Sequence, residues 1–168
     1  MDIIAPSSQK GDHLNIPGCP SLMKIVSKHG DKEILFADKV MKFTASGKIK
    51  RRILLITDVA IYLIDPDTNK LKRRVALTAV KKLCLSKLSD GFFAVIVPCE
   101  YDCLMLSTRK KEIVDVLIES SGSTSSEEMV EFSNSFSYRA NANLVKEIRF
   151  EDQEGTVRTK IVRKENRN

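Results

Sequence analysis

Residues 42–57 read KFTASGKIKRRILLIT, and this stretch carries the strongest indication of the fold. Ser46-Gly47 is a turn signal, and the residues from Arg52 to Thr57 are mostly aliphatic or β-branched, as is typical of a strand. Before the turn, Ile34 to Phe43 supplies apolar residues suited to another strand. Two such runs around a short polar turn predict a β-hairpin.

The cations on one face of this hairpin form the main candidate site. Side chains alternate along a strand, so Lys48, Lys50 and Arg52 should project together. Lys42 on the partner strand can join Lys50 and Arg52 around a phosphate. The arginine would supply a planar fork of donors, and each lysine a mobile point charge.

The opposite face of the hairpin carries Ile49 and Arg51. Arg51 adds to the positive charge of the turn. Ile49 has two interpretations, either an apolar side chain that enters a membrane interface or an ordinary strand residue that faces the core.

The charge of the chain is concentrated around this hairpin. The 168 residues carry a formal net charge of +6, but the segment 39–82 alone holds twelve basic and three acidic residues, a net charge of +9. The remainder of the chain is net negative, at −3. Such a concentrated positive field attracts a large anion or an anionic surface, such as phospholipid headgroups or nucleic acid.

A second basic cluster follows at Lys70, Lys72, Arg73 and Arg74. It lies on the next predicted hairpin and would widen the positive footprint on a membrane. The alternative is an edge strand whose charges prevent pairing with another sheet, which is a common use of lysine.

The remaining pattern consists of short strands interrupted by one change of period. Strand-like runs are predicted at 60–64, 71–77, 80–85, 92–97 and 103–106. From Thr108 to Glu119 apolar residues recur at helical spacing, with Thr108 as the predicted N-cap. Further strand patterns lie at 129–132, 145–150 and 157–162, and the last two predict a hairpin. The apolar stripe of the helix needs burial and consists of Ile113, Val114, Leu117 and Ile118.

This order of elements predicts the fold class. It is a mainly β chain that resembles the pleckstrin-homology arrangement, an antiparallel barrel closed by one helix, with additional C-terminal strands. With 42% hydrophobic residues, the chain is long enough for one sizeable core.

No secretory signal or membrane span is predicted. The opening residues lack a basic region followed by an apolar one, and no apolar run approaches the roughly 18 residues that a spanning helix needs. We therefore expect a cytoplasmic protein whose membrane contact is peripheral.

No catalytic or metal site is predicted either. The sequence contains no Ser-His-Asp elbow and no H-E-x-x-H motif, and none of its four cysteines has C-x-x-C spacing. We expect Cys84, Cys99 and Cys103 to be reduced, free of metal and packed in the core. We accordingly expect no enzyme activity, no cofactor and no small-molecule substrate.

The motif at 42–57 resembles the tail-homology-one domain of class I myosins. In that family a Lys-aromatic pair, a glycine-containing basic loop, and an Arg followed by an apolar run ending in Thr form a lipid-binding hairpin. The stretch LSDGFF at 88–93 is similar to the family's Leu-Ser-Asp turn before a strand. The resemblance covers roughly residues 25–163.

The resemblance implies a pleckstrin-homology-like fold and an anionic phospholipid ligand, with phosphoinositides included. Family members place a Lys on the first strand and an Arg at the start of the second, and these positions fall on Lys42 and Arg52. The turn is about one residue shorter here, Thr44-Ala45 stands where a basic residue is usual, and Ile49-Lys50 stands near a frequent Lys-Pro.

We expect the chain to divide into a flexible leader, residues 1–24, and a domain of the tail-homology-one type, residues 25–168. The leader is rich in Pro, Gly and Ser, which favour turns. No G-x-x-x-x-G-K-[ST] loop is present, so we expect the myosin motor to be absent. The chain is then an excised tail domain or a free-standing protein of that type, and Met1 slightly favours the second.

Two other functions remain as alternatives. A scaffold of the same fold would bind a protein, for example actin or a cytoskeletal adaptor, because fold does not fix function. Nucleic-acid binding is the weaker alternative, because such modules present aromatic stacking platforms among the charges. Here aromatic residues make up 6% of the chain, with no Trp.

Overall fold

The structure is a computed structural model that describes residues 11–122 and 126–164. Within these residues, seven antiparallel strands form the body of the fold. They lie side by side in the order fourth, third, second, first, seventh, sixth, fifth. The predicted mainly β, pleckstrin-homology-like fold is confirmed. The strands are β1 (Ile34–Phe43), β2 (Ile49–Thr57), β3 (Ala60–Ile64), β4 (Leu71–Ala76), β5 (Lys82–Leu85), β6 (Phe92–Ile96) and β7 (Cys103–Leu106).

A helix, α2 (Lys110–Ser120), closes one end of this barrel. Its residues Ile113, Val114 and Leu117 are buried in the same core as the inward-facing side chains of the strands, which confirms the predicted stripe. Ile118 packs against that core and is only partly buried. The helix begins at Lys110, so Arg109 is the N-cap residue and the prediction of Thr108 as the N-cap is wrong. The hydroxyl oxygen of Ser107 accepts a hydrogen bond from the Arg109 amide at 2.9 Å.

The segment before the barrel differs from the flexible leader expected over residues 1–24. Residues 16–18 form a single 3-10 turn, and α1 (Pro20–Lys28) follows. Ile16, Leu22 and Val26 are buried against the outer face of β1 to β3, where they cover Leu55 and Tyr62. Residues 11–24 therefore belong to the packed structure, while residues 1–10 lie outside the described residues.

The C-terminal part adds a second sheet. A short helix, α3 (Ser126–Met129), leads into β8 (Val130–Phe132), which pairs in parallel with β5. Met129 therefore ends a helix, whereas a strand was predicted from that residue. The second sheet contains β9 (Ser135–Asn141), β10 (Leu144–Gln153) and β11 (Thr156–Arg163), and β10 and β11 form the predicted hairpin.

Apolar residues of this second sheet pack on the outer face of the barrel. Phe136, Tyr138, Ile148 and Phe150 are buried in one cluster with outward-facing residues of β5, β6 and β7. The two faces of β5 to β7 are thus both covered, the inner one by the main core and the outer one by the second sheet.

All four cysteines are free thiols. Cys84 and Cys103 are buried, whereas Cys99 is exposed in the turn before β7, so the prediction of a core position for Cys99 is wrong. Burial raises the pKa of Cys84 to about 11 and also raises the pKa of Cys103. No three His, Cys, Asp or Glu side chains are grouped as metal ligands in the part of the chain that the structure describes.

Candidate functional site

The register of the β1–β2 hairpin places three cations on one face. Lys42 is directly opposite Lys50, and Arg52 is directly opposite Val40. Directly opposed residues of an antiparallel pair share a face, and so do residues two apart on one strand. Val40 belongs to the main core. Lys42, Lys50 and Arg52 therefore continue the inner face of the barrel beyond its apolar interior.

The turn of the hairpin is held by Thr44. Its hydroxyl donates to the carbonyl of Lys48 at 2.8 Å and accepts a hydrogen bond from the Lys48 amide at 3.1 Å. Gly47 has a φ of +90°, a conformation that side-chain-bearing residues rarely adopt. The Thr44 hydroxyl thus fixes the turn that presents Lys48.

These cations surround the open end of the barrel, opposite α2. The pairing of Phe43 with Leu104 places the hairpin turn beside the start of β7, and hence beside the β6–β7 turn. The pairing of Ile53 with Ile64 places Arg52 beside Asp65, the first residue of the β3–β4 turn. Three turns, residues 44–48, 65–70 and 97–102, therefore frame one rim.

The charges at this rim leave the hairpin cations available to a ligand. Among the described residues, none of the ion pairs within 4.0 Å involves Lys42, Lys48, Lys50, Arg51 or Arg52. Asp65 is the carboxylate nearest in register, and its pKa is lowered mainly by the hydrogen bond from the Asp67 amide, with smaller contributions from Arg52 and Lys72. Lys42 and Arg73 both lie close enough to Cys103 to oppose the rise in its pKa.

The outer face of the same hairpin carries apolar and basic residues together. Ile49 is 52% exposed and Met41 is 37% exposed, and Arg51, directly opposite Met41, is exposed as well. Ile49 is therefore not a core residue. An exposed aliphatic side chain among cations is the combination found where proteins enter a lipid interface.

Arg73 does not belong to an exposed basic patch. It is 7% exposed, and its guanidinium donates to the carbonyl oxygen of Tyr101 at 2.5 Å and lies 3.8 Å from the centre of the Tyr101 ring. A carboxylate oxygen of Glu100 lies 3.6 Å away. The prediction that Arg73 widens a membrane footprint is wrong, because its guanidinium fastens β4 to the β6–β7 turn.

Arg74 is also engaged, on the other face of β4. Its Nε donates to the Tyr62 hydroxyl at 3.2 Å, and its guanidinium lies 3.9 Å from the buried carboxylate of Asp31. Burial, followed by the hydrogen bond to Asp31, raises the pKa of Tyr62. Of the predicted second cluster, Lys70 and Lys72 are the members that are exposed.

Comparison with known families shows which family this domain belongs to. Residues 8–167 match the family model described as the unconventional myosin tail, actin- and lipid-binding. The chain belongs to this family. The tail domain is a binding module of class I myosins and is distinct from their catalytic motor.

The relatives of this tail domain are much longer proteins. Myosin ID heavy chain of Dictyostelium discoideum is 34% identical over 123 residues, which are 66% of this chain and 11% of that protein. Myosin heavy chain IB of Acanthamoeba castellanii is 28% identical over 166 residues, 94% of this chain and 14% of that protein. The chain thus spans about a tenth to a seventh of the length of these relatives.

Among solved structures, the C-terminal domain of an unknown protein from Leishmania infantum is similar at a TM-score of 0.48 and 11% identity. The similarity covers 61% of this chain and 92% of that one. In the part of the chain that the structure describes, no helix has the length and apolar character to cross a bilayer.

Proposed function

We propose that this tail domain binds anionic phospholipids, phosphoinositides among them, through the β1–β2 hairpin. The observation that supports this is the shared face of Lys42, Lys50 and Arg52, three cations at the open end of the barrel without an ion-pair partner among the described residues. Lys42 and Arg52 form the headgroup clamp. Lys48 and Arg51 add a less specific attraction to any anionic surface.

The expected strength fits a reversible peripheral attachment. A basic residue near an anionic leaflet contributes about 1 kcal/mol, so the three inner-face cations together contribute about 3 kcal/mol, roughly a hundredfold in affinity. Ile49 adds apolar burial in the interface if it enters the headgroup region. The activity that we propose is binding, without catalysis.

The family description also names actin. We propose that the domain links an anionic membrane to the actin–myosin cytoskeleton, with the lipid held at the open end of the barrel. A protein-interaction scaffold without lipid binding is the alternative, and the experiment below separates the two.

The K42A/R52A variant should lose most of its binding to phosphoinositide-containing vesicles in a sedimentation assay, with a decrease of about 30-fold for the two cations removed. Its fold should survive, because both side chains lie beyond the apolar core. The K48A/R51A variant should instead weaken binding to all anionic vesicles alike.

A matched control is available on the second sheet. The R158A/K160A variant removes the same two kinds of charge from exposed positions far from the hairpin, and it should bind as the parent does. Attachment should also weaken with added salt, since the screening length falls from about 10 Å at 0.1 M to about 3 Å at 1 M. A folded K42A/R52A variant that binds vesicles as tightly as the parent would contradict the clamp and favour the scaffold.

A further inference from the structure

We propose that the second sheet makes its own contact with the same anionic membrane through Lys146, Arg163 and Lys164. We call these three residues the C-terminal basic end. The proposal rests on lipid binding by the hairpin and adds a second surface, which would also fix how the domain stands on the membrane.

The second sheet is fixed to the open end of the barrel by Asp102. The carboxylate of Asp102 accepts hydrogen bonds from the amide of Val97 at 2.8 Å and from the amide of Arg139, on β9, at 2.7 Å. The Asp102 amide in turn donates to the Arg139 carbonyl at 2.8 Å, and the Arg139 guanidinium donates to the Pro98 carbonyl at 3.1 Å. This part of β9 therefore lies against the β6–β7 turn, beside the hairpin turn.

The strand pairings of the second sheet place the C-terminal basic end close to Arg139. Val145 is opposite Arg139, and Lys146 is opposite both Tyr138 and Arg163. The Lys164 amide donates to the Val145 carbonyl at 2.9 Å. Adjacent strands are about 4.8 Å apart, so the whole group lies within about two strand spacings of Arg139. It is on the same end of the molecule as the hairpin cations.

The C-terminal basic end repeats the construction of the hairpin. Lys146 and Arg163 form a directly opposed pair of like charges, as Lys42 and Lys50 do. Such pairs destabilise a sheet, so two of them at the same end of the fold indicate a ligand that compensates the charge. Arg163 and Lys164 are exposed and Lys146 is half-buried. The Lys164 ammonium donates to the Ser137 hydroxyl at 3.0 Å, and none of the three cations forms an ion pair within 4.0 Å among the described residues.

A third like-charge pair, farther along the β10–β11 hairpin, does have acidic neighbours. Arg149 is opposite Lys160, but the Arg149 Nε lies 2.5 Å from a carboxylate oxygen of Glu147, and Glu151 is opposite Arg158. These cations have acidic neighbours. They provide a control within the same pair of strands.

The opposite end of β10 and β11 carries acidic residues, so the two ends of this sheet differ in charge. Glu151, Asp152 and Glu154 lie at the β10–β11 turn. The Phe150 amide donates to the Asn134 carbonyl, and the Asn134 side chain accepts from the Lys87 amide, so this end lies near the β5–β6 turn. That turn is at the α2 end of the barrel, where Asp90 pairs with Lys110 at 3.4 Å. An anionic surface would attract the basic end and repel the acidic turn.

These charges favour a membrane over an acidic protein as the ligand. The two basic groups belong to different sheets but lie at one end of the molecule, and a lipid surface can meet both at once. A single anionic headgroup in the hairpin clamp would leave the C-terminal basic end unused.

The test compares two probes. With vesicles of phosphatidylcholine that contain phosphatidylserine and a phosphoinositide, the K146A/R163A variant should bind about 5- to 30-fold more weakly than the parent. With a soluble inositol phosphate, it should bind as the parent does, whereas K42A/R52A should lose binding to both probes. The R158A/K160A variant should match the parent in every assay.

The outcomes separate this proposal from the proposed function. If K42A/R52A loses vesicle binding while a folded K146A/R163A variant binds vesicles like the parent, the second contact is wrong and the clamp stands. If K146A/R163A loses sedimentation with actin filaments but keeps vesicle binding, the C-terminal basic end is a protein surface. If the parent itself binds no anionic vesicles, both proposals fail.

Discussion

At the scale of single residues, Ile49 offers the sharpest test of membrane contact. It is 52% exposed on the outer face of the hairpin, and the chain contains no Trp. We predict that the I49W variant, with its one indole, shows a blue-shifted and brighter fluorescence on addition of anionic vesicles, because the ring leaves water for the interface. Val59, 43% exposed in the turn between β2 and β3, supplies the control.

The V59W variant should show no shift, because Val59 follows β2 at the end remote from the hairpin turn. Equal shifts for both variants would mean that the indole reports nonspecific adsorption. A folded I49W variant that sediments with vesicles and keeps an unshifted spectrum would show that Ile49 stays outside the interface.

Two arginines illustrate how far residue-level prediction reached. Arg52 and Arg73 both lie on the inner face of their strands, and alternation along the hairpin was enough to place Arg52 with Lys42 and Lys50. Whether such a side chain is free depends on what covers it. Arg73 is covered because the β6–β7 turn brings the carbonyl and ring of Tyr101 over its guanidinium, and no local pattern around Arg73 encodes that long-range contact.

At the scale of elements, residues 11–24 differ from the flexible leader that was predicted over residues 1–24. Their Pro and Gly content indicated a flexible leader, but Ile16 is fully buried beneath α1. We predict that the I16A variant unfolds at lower urea concentration, with a loss of about 2 to 5 kcal/mol in the free energy of unfolding, because the substitution leaves a cavity in a packed cluster.

The I49A variant makes the same chemical change at an exposed strand position, and it should alter the free energy of unfolding by no more than about 0.5 kcal/mol. If I16A has the same free energy of unfolding as I49A, the segment around Ile16 does not contribute to stability, as expected of a flexible leader. A larger loss of stability in I16A than in I49A would show that the turn-rich N-terminal segment stabilises the domain.

The C-terminal elements were predictable in part. The β10–β11 hairpin was evident from its two strand-like runs around residues 152–155, whereas β9 was not predicted. Phe136 and Tyr138 do alternate with Ser135 and Ser137, a period-two signal that the serines obscured. The parallel pairing of β8 with β5 depends on the path of the chain after α2, which strand propensity does not specify.

At the scale of the whole molecule, the positions of the charges in the fold are more informative than the net charge. A net charge of +6 is modest, yet the hairpin cations and the C-terminal basic end lie at one end, and the acidic β10–β11 turn lies at the other. The sequence showed the first concentration because residues 39–82 are contiguous. It could not show the second, because Lys146 and Arg163 come together only through strand pairing.

This arrangement gives a last prediction, on the combined variant K42A/R52A/K146A/R163A. Distant sites without shared partners usually contribute additively to a free energy, within about 0.3 to 0.5 kcal/mol. If both basic groups meet one membrane, the loss of vesicle affinity in the combined variant should equal the product of the losses in the two double variants. Its binding should also be the least sensitive to salt, because the fewest charges remain to be screened.

Vesicle titrations of the parent and three variants at two salt concentrations would measure both quantities, with circular dichroism to confirm folding. A combined variant that binds no more weakly than K42A/R52A would contradict two independent contacts and leave the hairpin as the single attachment point.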